Sequence, residues 1–253
     1  MLLEEFDNNK IAMINPCNIV SKIDNMPETV VSFFEEKMFE HFLSAFKPEI
    51  ITSIGCAVKK HPIYKINFEG KDIAVVQAGI GEPYCVGNFE EIVELGAKNI
   101  LLFGSCGSLV NAKNCSVIVP TAALRDEGTS FHYAPPSDEI KLDSNLVEKM
   151  CKFFDEKHIT YIKGKTWTTD AFYRETKEKI ERRKNAGAVC VEMECAGMTA
   201  FAKFRNVNFA TFFYTGDNLS KEVWDKGSLS KDILEGKDVL IPLSFQLANY
   251  IFD

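Results

Sequence analysis

The stretch A-V-C-V-E-M-E-C-A-G-M-T-A-F-A-K-F, at residues 188–204, decides the fold class. It begins with a short apolar run, which is typical of a buried strand, and continues with the pattern of a helix. Between these two parts, Glu192 and Glu194 flank Met193 where the strand ends. A strand that leads directly into a helix indicates an α/β unit.

The same alternation continues along the chain in both directions. Apolar runs predict strands at 50–57, 73–78, 99–104, 116–123, 188–193 and 207–215. Helical patterns predict helices at 29–46 and at about 84–96, 143–157, 174–186, 194–204 and 231–251. A hairpin that turns at Glu69-Gly70-Lys71 makes the sheet mixed. We therefore expect an α/β fold, with a mixed, mainly parallel central sheet flanked by helices in three layers, and a single domain over residues 1–253.

Composition excludes several classes of protein. The 253 residues are 46% hydrophobic and 26% charged, which is ordinary for a globular protein and unlike a disordered or collagen-like chain. The formal net charge of −7 and the lack of a basic run argue against nucleic-acid binding. No apolar stretch is long enough to span a membrane, and the acidic start MLLEEFDNNK is unlike a signal peptide. We expect a cytoplasmic protein that binds neither nucleic acid nor membrane.

The eight cysteines and four histidines form no metal-binding pattern. No pair of cysteines has the C-x₂-C spacing of a structural zinc site, and most lie in apolar surroundings. A free thiol in such surroundings behaves as a small buried hydrophobe. We expect reduced core cysteines and no metal.

Unusual residues follow four of the predicted strands, where open α/β sheets place their ligands. They are the glycine-rich turn Gly79–Gly81, the small-residue turn Gly104–Gly107, the carboxylates of Glu192–Glu194, and the acid in Gly216–Asn218. Each alone also has a structural interpretation, since glycine is common at strand ends and glutamate complements a helix dipole. Together they favour a small-molecule site.

These residue types suit a nucleoside. Paired carboxylate oxygens can accept both hydroxyls of a ribose, and a turn of free N–H groups suits phosphate. An acid at a strand end can donate a proton to a leaving group, and Phe172 and Tyr173 can offer a flat face to a heterocycle. The parts are consistent with cleavage of a glycosidic bond.

Several stretches carry a resemblance to a known family that extends from about residue 10 to the C-terminus. They are Gly79-Ile80-Gly81-Glu82-Pro83, Gly104-Ser105-Cys106-Gly107, the run Leu124–Pro135 (LRDEGTSFHYAP), Thr169-Asp170-Ala171-Phe172-Tyr173, Val191-Glu192-Met193-Glu194 and Gly216-Asp217. In order and spacing the chain resembles the nucleoside phosphorylases of the trimeric and hexameric class, which include purine nucleoside phosphorylase and uridine phosphorylase. The resemblance implies the phosphorylase/hydrolase-like fold.

The resemblance also implies roles for individual residues. Met193 and Glu194 would hold the ribose, with Glu194 accepting the 2′ and 3′ hydroxyls, and Glu192 would contact the sugar or the base. Phe172 would pack on the base, and Asp217 would protonate N7 of a leaving purine. The implied phosphate site consists of Gly104, Ser105 and Lys59, with Lys59 supplied by a neighbouring subunit. Apart from the resemblance, Met193 and Phe172 would be interpreted as core residues.

The chain departs from the family at the phosphate and base sites. Asn18 and Leu102 stand where the family has two phosphate-binding arginines, and Lys59 replaces the third. A lysine cannot bind an oxyanion in a bidentate manner. Thr176 and Glu178 stand where uridine phosphorylases carry the Gln and Arg that bind uracil.

We expect a pentosyltransferase, a phosphorylase that cleaves a purine nucleoside with phosphate to give free base and ribose 1-phosphate. The alternatives are a nucleosidase that uses water, a uridine phosphorylase-like enzyme, and a non-catalytic nucleoside-binding homologue. The expected ligands are a nucleoside and inorganic phosphate, with no cofactor besides this co-substrate. Because the family places its site at a dimer interface, we expect a homo-oligomer built from dimers, up to a hexamer.

Overall fold

A computed structural model describes residues 2–55, 59–227 and 237–253. The strands are β1 (Thr29–Phe33), β2 (Glu49–Gly55), β3 (Lys60–Phe68), β4 (Lys71–Gln77), β5 (Asn99–Ser108), β6 (Val117–Asp126), β7 (Glu139–Lys141), β8 (Tyr161–Thr169), β9 (Ala188–Glu192) and β10 (Asn208–Asn218). The α-helices are α1 (Glu36–Phe46), α2 (Glu82–Leu95), α3 (Ser144–Glu156), α4 (Lys177–Asn185), α5 (Cys195–Arg205) and α6 (Leu240–Ile251).

The strands form one mixed sheet in the order β2-β3-β4-β1-β5-β9-β8-β6-β10, with β7 beside β6. Strand β10 also pairs with β5, so that β5, β9, β8, β6 and β10 close into a ring. The pairings of β1 with β4 and β5, of β5 with β10, and of β8 with β6 and β9 are parallel. The hairpin strands β2, β3 and β4 are antiparallel, as are the short contacts of β9 with β5 and of β10 with β6.

Two apolar cores lie on opposite faces of the sheet. Along β5, Leu101 and Phe103 face the core that α1, α3 and α6 cover, whereas Ile100 and Leu102 face the core under α2 and α5. Successive side chains of a strand point to opposite faces, so a fully apolar strand such as β5 is buried on both sides. The predicted α/β fold, with a mixed central sheet flanked by helices, is confirmed.

The predicted helix at 29–46 is wrong in its first part. Residues Thr29–Phe33 form strand β1, and the helix begins only at Glu36. The apolar spacing in this segment also fits a buried strand, and parallel pairing on both sides with β4 and β5 favours the extended form.

The structure also corrects the expected turn at Gly104–Gly107. Strand β5 continues to Ser108, because its second half pairs with β10 and then with β9. Strands β7 and β8 were not predicted from the sequence. Residues 56–57 of the predicted strand at 50–57 and residues 231–236 of the predicted C-terminal helix lie outside the described residues.

Within the ranges that the structure describes, no helical segment combines the length and hydropathy that a membrane span requires.

Candidate active site

A cavity of about 470 Å³ opens where the carboxyl ends of β5, β9 and β10 meet. Its walls are formed by Ser105, Cys106, Gly107, Phe172, Tyr173, Glu175, Val191, Glu192, Met193, Asp217, Leu219 and Trp224. A cavity of this size is typical of small-molecule sites.

The structure brings most of the predicted site residues together. Ser105, Phe172, Glu192, Met193 and Asp217 all line this cavity. Of the other three, Glu194 lies buried directly after Met193, and Gly104 lies within β5 with its α-carbon packed against Phe34. Lys59 lines a different depression, between α1 and β3.

A bulge in β10 and a tryptophan orient Asp217. The pairing of β10 with β5 shifts register between Thr215 and Asp217, so that Asp217 lies opposite Gly107. A β-carbon on Gly107 would lie 3.3 Å from Asp217 Oδ1 and 2.5 Å from the terminal methyl of Leu219, so a larger residue at position 107 would require neighbouring side chains to move. The indole Nε1 of Trp224 donates a hydrogen bond to Asp217 Oδ2 at 2.6 Å. One carboxyl oxygen is therefore held by Trp224, while the other faces Gly107.

Burial raises the pKa of Asp217, and the hydrogen bond from Trp224 acts in the opposite direction. Burial disfavours the ionised carboxylate, whereas an N–H donor stabilises it. The net upward shift increases the share of molecules in which Asp217 carries a proton. This is the state that a general acid needs.

The segment that carries Trp224 is anchored to the end of β10. Asn218 and Asp225 exchange two backbone hydrogen bonds, of 2.9 and 3.1 Å. The Asn218 side chain accepts hydrogen bonds from the backbone N–H and the hydroxyl of Ser220. This bridge holds Trp224 beside the mouth of the cavity, although 53% of the residue remains exposed.

The carboxylate of Glu192 accepts four hydrogen bonds from the protein. Its Oε1 accepts from the hydroxyls of Thr166 and Thr168, at 3.1 and 2.6 Å. Its Oε2 accepts from the backbone N–H groups of Glu194 and Cys195, at 2.8 and 2.7 Å. These bonds favour the ionised form, although burial dominates and raises the pKa of Glu192. Glu192 therefore positions the start of α5, and with it Glu194.

The next two N–H groups of α5 are also bonded to side chains. The hydroxyl of Thr168 accepts from Ala196 N at 3.1 Å, and Glu82 Oε1 accepts from Gly197 N at 2.5 Å. The first N–H groups of a helix lack partners within the helix. Here side chains from β9, β8 and α2 supply those partners, so the start of α5 is fixed from three directions.

Glu194 connects the start of α5 to the predicted glycine-rich turn. Its Oε1 accepts a hydrogen bond from the backbone N–H of Gly81 at 2.6 Å. Gly81 has φ of +89°, a conformation that favours glycine. Burial, and next the charge of Glu192, raise the pKa of Glu194 to about 8. A largely protonated carboxyl at neutral pH can both donate to and accept from a sugar hydroxyl.

Glu82 and Glu127 form a second pair of carboxyls behind α5. Glu82 has no exposed surface, and burial and the contact with Glu127 raise its pKa well above the usual range. Glu127 accepts hydrogen bonds from the backbone N–H and the hydroxyl of Ser130. Gly197 allows Glu82 to approach, because a β-carbon there would lie 2.6 Å from the Glu82 carboxyl.

Arg125, near the start of the quoted stretch Leu124–Pro135, organises a loop. Its Nε donates to Ser130 Oγ at 2.7 Å, and its Nη1 donates to the carbonyl of Pro135 and the hydroxyl of Ser137. The guanidinium lies 3.9 Å from the centre of the Phe131 ring. Arg125 is buried and is not among the residues that line the cavity. The structure thus gives Arg125 a structural role.

Phe172 and Met193 are cavity residues. Phe172 is 50% exposed, and the centre of its ring lies 4.1 Å from that of Tyr173, which is 88% exposed. Met193 is partly exposed and also lines the cavity. The interpretation of these two side chains as core residues is therefore wrong.

The part of the cavity wall at Ser105, which the resemblance assigns to phosphate, contains no cation among the described residues. Ser105 is exposed there, but no lysine or arginine lines the cavity within the described ranges. Asn18 is exposed in a short helix, where its Oδ1 accepts from Asn15 N at 2.8 Å. Leu102 is 2% exposed and belongs to the core. Two of the three arginine positions of the family thus carry no charge in this chain.

The sequence analysis did not identify three residues of the site: Glu175, Trp224 and Glu82. Trp224 lies on a connecting segment where no periodic pattern marks it, and Glu175, which falls within the helix predicted at 174–186, lies in the turn before α4. The only signal for Glu82 was its place in the quoted Gly79–Pro83 stretch, as a charged residue at the start of an apolar helix. Their contacts with the site depend on tertiary packing.

The fold and the cavity define a class: a mixed α/β protein with a small-molecule site that combines carboxyl groups, an aromatic pair and a strand-end acid. The family model described as "Phosphorylase superfamily" matches residues 37–238, and the chain belongs to this family. The predicted resemblance to the nucleoside phosphorylases is thereby confirmed, as is the predicted class of enzyme at the level of the family.

Curated relatives are similar at low identity. Guanosine phosphorylase of Halorubrum lacusprofundi is 25% identical over 162 residues, which cover 64% of this chain and 67% of the relative. A DeoD-type purine nucleoside phosphorylase of Bacillus cereus is 26% identical over 160 residues, covering 60% of this chain and 66% of the relative. The matches thus span about two thirds of the length of these relatives.

Solved structures share the fold. Uridine phosphorylase from Vibrio fischeri superposes with a TM-score of 0.74 at 19% identity, covering 94% of this chain and 95% of the other. Purine nucleoside phosphorylase from Toxoplasma gondii, in complex with immucillin-H, has a TM-score of 0.69 at 18% identity and covers 90% of each chain. AMP nucleosidase from Bacteroides thetaiotaomicron has a TM-score of 0.69 at 15% identity, again covering 90% of each chain.

Proposed function

We propose that the protein is a nucleoside phosphorylase that cleaves purine nucleosides with phosphate to give free base and ribose 1-phosphate. The observation that carries this proposal is the position of Asp217, whose carboxyl lines the same cavity as Phe172 and Met193. An acid with a raised pKa beside an aromatic face suits a base that must be protonated as it leaves. The names of the relatives, guanosine phosphorylase and purine nucleoside phosphorylase, support a purine.

In this proposal the two sides of the cavity bind different parts of the nucleoside. Glu194 and Met193 hold the ribose, and Glu192 keeps Glu194 in place through the start of α5. The purine packs against Phe172, and Asp217 delivers its proton to N7 as the glycosidic bond breaks. Positive charge then develops on the sugar, and the carboxyl group of Glu192, where ionised, stabilises it electrostatically.

Phosphate would bind at the Ser105 side, and a second subunit would complete that site. Lys59 lines a depression apart from the cavity, so it reaches a phosphate only if it comes from a neighbouring copy of the chain. We therefore include a homo-oligomer in the proposal. No cofactor besides phosphate is required.

Hydrolysis is the second candidate, and one observation favours it. The described walls of the cavity contain three carboxylates, from Glu175, Glu192 and Asp217, and no cation. Such a lining repels a phosphate dianion more than it repels water. A nucleosidase would release ribose, and phosphate would not affect its rate.

The experiment that tests the proposal is product analysis on a panel of nucleosides with and without phosphate. We expect base release from guanosine, inosine or adenosine that depends on phosphate, with ribose 1-phosphate as the second product. Lys59→Ala should then raise the KM for phosphate more than it lowers kcat, and Lys65→Ala, in the neighbouring strand β3, serves as the control. Release of base and ribose at an equal rate in phosphate-free buffer would assign the protein to hydrolysis. No cleavage of any nucleoside would contradict both.

A further inference from the structure

Glu175 is a carboxyl in the cavity to which neither the sequence nor the proposed reaction assigns a role. It directly follows the short helix Phe172–Arg174, and its backbone N–H donates to the carbonyl of Phe172 at 3.3 Å. This turn directs its side chain to the cavity wall that Phe172 and Asp217 share. Among the described residues, no hydrogen bond or ion pair to its carboxylate is found. The carboxylate of Glu175 is therefore available to bind a ligand.

The charges around Glu175 place it at the base side of the cavity. The neighbouring charges that act on it belong to Asp217 on β10 and to Lys179 on α4. The Lys179 ammonium is already paired with Asp126, with 3.0 Å between Nζ and Oδ2. The third carboxylate of the cavity, Glu192 on β9, is bonded to four protein donors. Glu175 thus remains available for a ligand beside the acid that faces the leaving base.

The two protonation states of a carboxyl match different purines. An ionised carboxylate only accepts hydrogen bonds, whereas the protonated acid donates one and accepts one. The outer edge of guanine presents two adjacent donors, N1–H and the 2-amino group. The same two positions of adenine present the acceptor N1 and the carbon-bound hydrogen of C2, so that a protonated carboxyl can donate to N1 whereas an ionised carboxylate finds no donor. Ionised Glu175 therefore matches guanine, and protonated Glu175 matches adenine.

We propose that Glu175 binds the outer edge of the purine and that its ionisation selects between guanine and adenine nucleosides. This inference rests on the proposed function, since it takes the purine site formed by Phe172 and Asp217 as given. It identifies the substrate class through a side chain that belongs to this chain's own cavity. Glu175 then acts as a specificity-determining residue.

The selection falls within the neutral pH range. Burial, and next the charge of Asp217, raise the pKa of Glu175 to about 7, while Lys179 opposes this shift. Below that pH the acid is mostly protonated, which favours adenosine. Above it the carboxylate predominates, which favours guanosine.

The test is the ratio of kcat/KM for guanosine to kcat/KM for adenosine, measured from pH 5.5 to 8.5. Effects of pH that are common to both purines, such as titration of Asp217, cancel in this ratio. Since a hydrogen bond to a charged group changes affinity by roughly tenfold or more, we expect the ratio to rise by about that factor across pH 7. Glu175→Gln, whose amide has a fixed donor and acceptor, should give a ratio that does not depend on pH and that favours adenosine.

Glu181→Gln provides a matched control, because Glu181 is exposed on α4, does not line the cavity and loses the same charge. Its ratio should follow that of the unmodified protein. A ratio without pH dependence in the unmodified protein, or an unchanged profile in Glu175→Gln, would overturn the inference. Calorimetric binding of guanosine and adenosine over the same pH range separates this failure from failure of the proposed function. Preference without cleavage contradicts the function alone, and no binding of either nucleoside overturns the inference as well.

Discussion

The two sides of the cavity differ in how firmly the protein holds them. On the side proposed to bind the ribose, buried side chains bond the first N–H groups of α5, and Gly81 bonds Glu194. On the side proposed to bind the base, Phe172, Tyr173 and Trp224 are each at least half exposed, at 50%, 88% and 53%. The sugar side is thus built in advance, whereas the base side is open.

In the proposed function, the rigid side determines the rate of the reaction and the open side determines which substrate is selected. A ribose is common to all nucleosides, so a preorganised site for it serves every substrate, and preorganised groups lower the barrier most. The base differs between substrates, and it meets side chains on short connecting segments, where substitutions are tolerated best. Changes on the ribose side should therefore damage rate or stability, and changes on the base side should alter specificity or pH dependence.

The largest effect is expected for the acid that bridges the two sides. Asp217→Asn keeps the shape of the side chain but cannot donate a carboxylic proton. General acid catalysis contributes about 10²–10⁴-fold, so kcat/KM on purine nucleosides should fall by that factor. A nitrophenyl riboside, whose leaving group needs no protonation, should lose much less. Equal losses on both substrates would mean that Asp217 only positions the base.

The packing of the rigid side can be disrupted without removing any functional group. Gly197→Ala places a β-carbon 2.6 Å from the Glu82 carboxyl, and overpacking of this kind costs about 1–3 kcal/mol of unfolding free energy. Denaturant unfolding should show this loss. Gly87→Ala on the exposed side of α2 is the control, since its β-carbon meets nothing within 4 Å, and it should be neutral or stabilising. Equal stability of the two variants would contradict the account of a tightly packed start of α5.

The buried carboxyls also predict how stability depends on pH. The pKa of Glu194 is about 8 in the folded protein against an ordinary 4.5, so the folded state binds more protons than the unfolded state between these values. The stabilisation from Glu194 is complete below about pH 4.5 and is lost as the pH rises to 8. Burial shifts Glu82 and Glu192 in the same direction.

Thermal unfolding from pH 5 to 8 tests this sign. The melting temperature of Glu194→Gln should fall less steeply with pH than that of the unmodified protein. Glu148→Gln, on the exposed side of α3, should keep the original slope. A slope for Glu194→Gln that equals the original would show that Glu194 ionises normally in the fold.

A smaller effect is expected on the open side. Trp224→Phe keeps a ring at the mouth of the cavity but removes the N–H that stabilises ionised Asp217. The pKa of Asp217 should rise, so the alkaline decline of kcat should move to higher pH, while activity at low pH changes little. A pH–rate profile measures this shift, and Asp217→Asn should abolish that decline. A profile unchanged by Trp224→Phe would indicate that the hydrogen bond does not persist in the working enzyme.

The sequence indicates the strand-end residues of the site better than the contacts that orient them. The V-E-M-E stretch and Gly216-Asp217 predict a strand-end site because local pattern alone places them there. Trp224 approaches Asp217 only through the bridge between Asn218 and Asp225, which no local pattern reveals. The prediction of the fold fails for the same reason, where structure depends on distant parts of the chain. Strand β1 was mistaken for helix because its pairing partners, β4 and β5, lie far along the chain.

The most direct test of the account compares guanosine with 2′-deoxyguanosine on the unmodified protein and on Glu194→Gln. If Glu194 on the rigid side binds the ribose hydroxyls, loss of the 2′-hydroxyl should lower kcat/KM of the unmodified protein by roughly tenfold or more. The same loss should cost the variant little, because the interaction is already gone. Differences in intrinsic lability between the two substrates cancel in this cycle. An equal penalty in both proteins would remove Glu194 from the ribose site and contradict the division of the cavity proposed above.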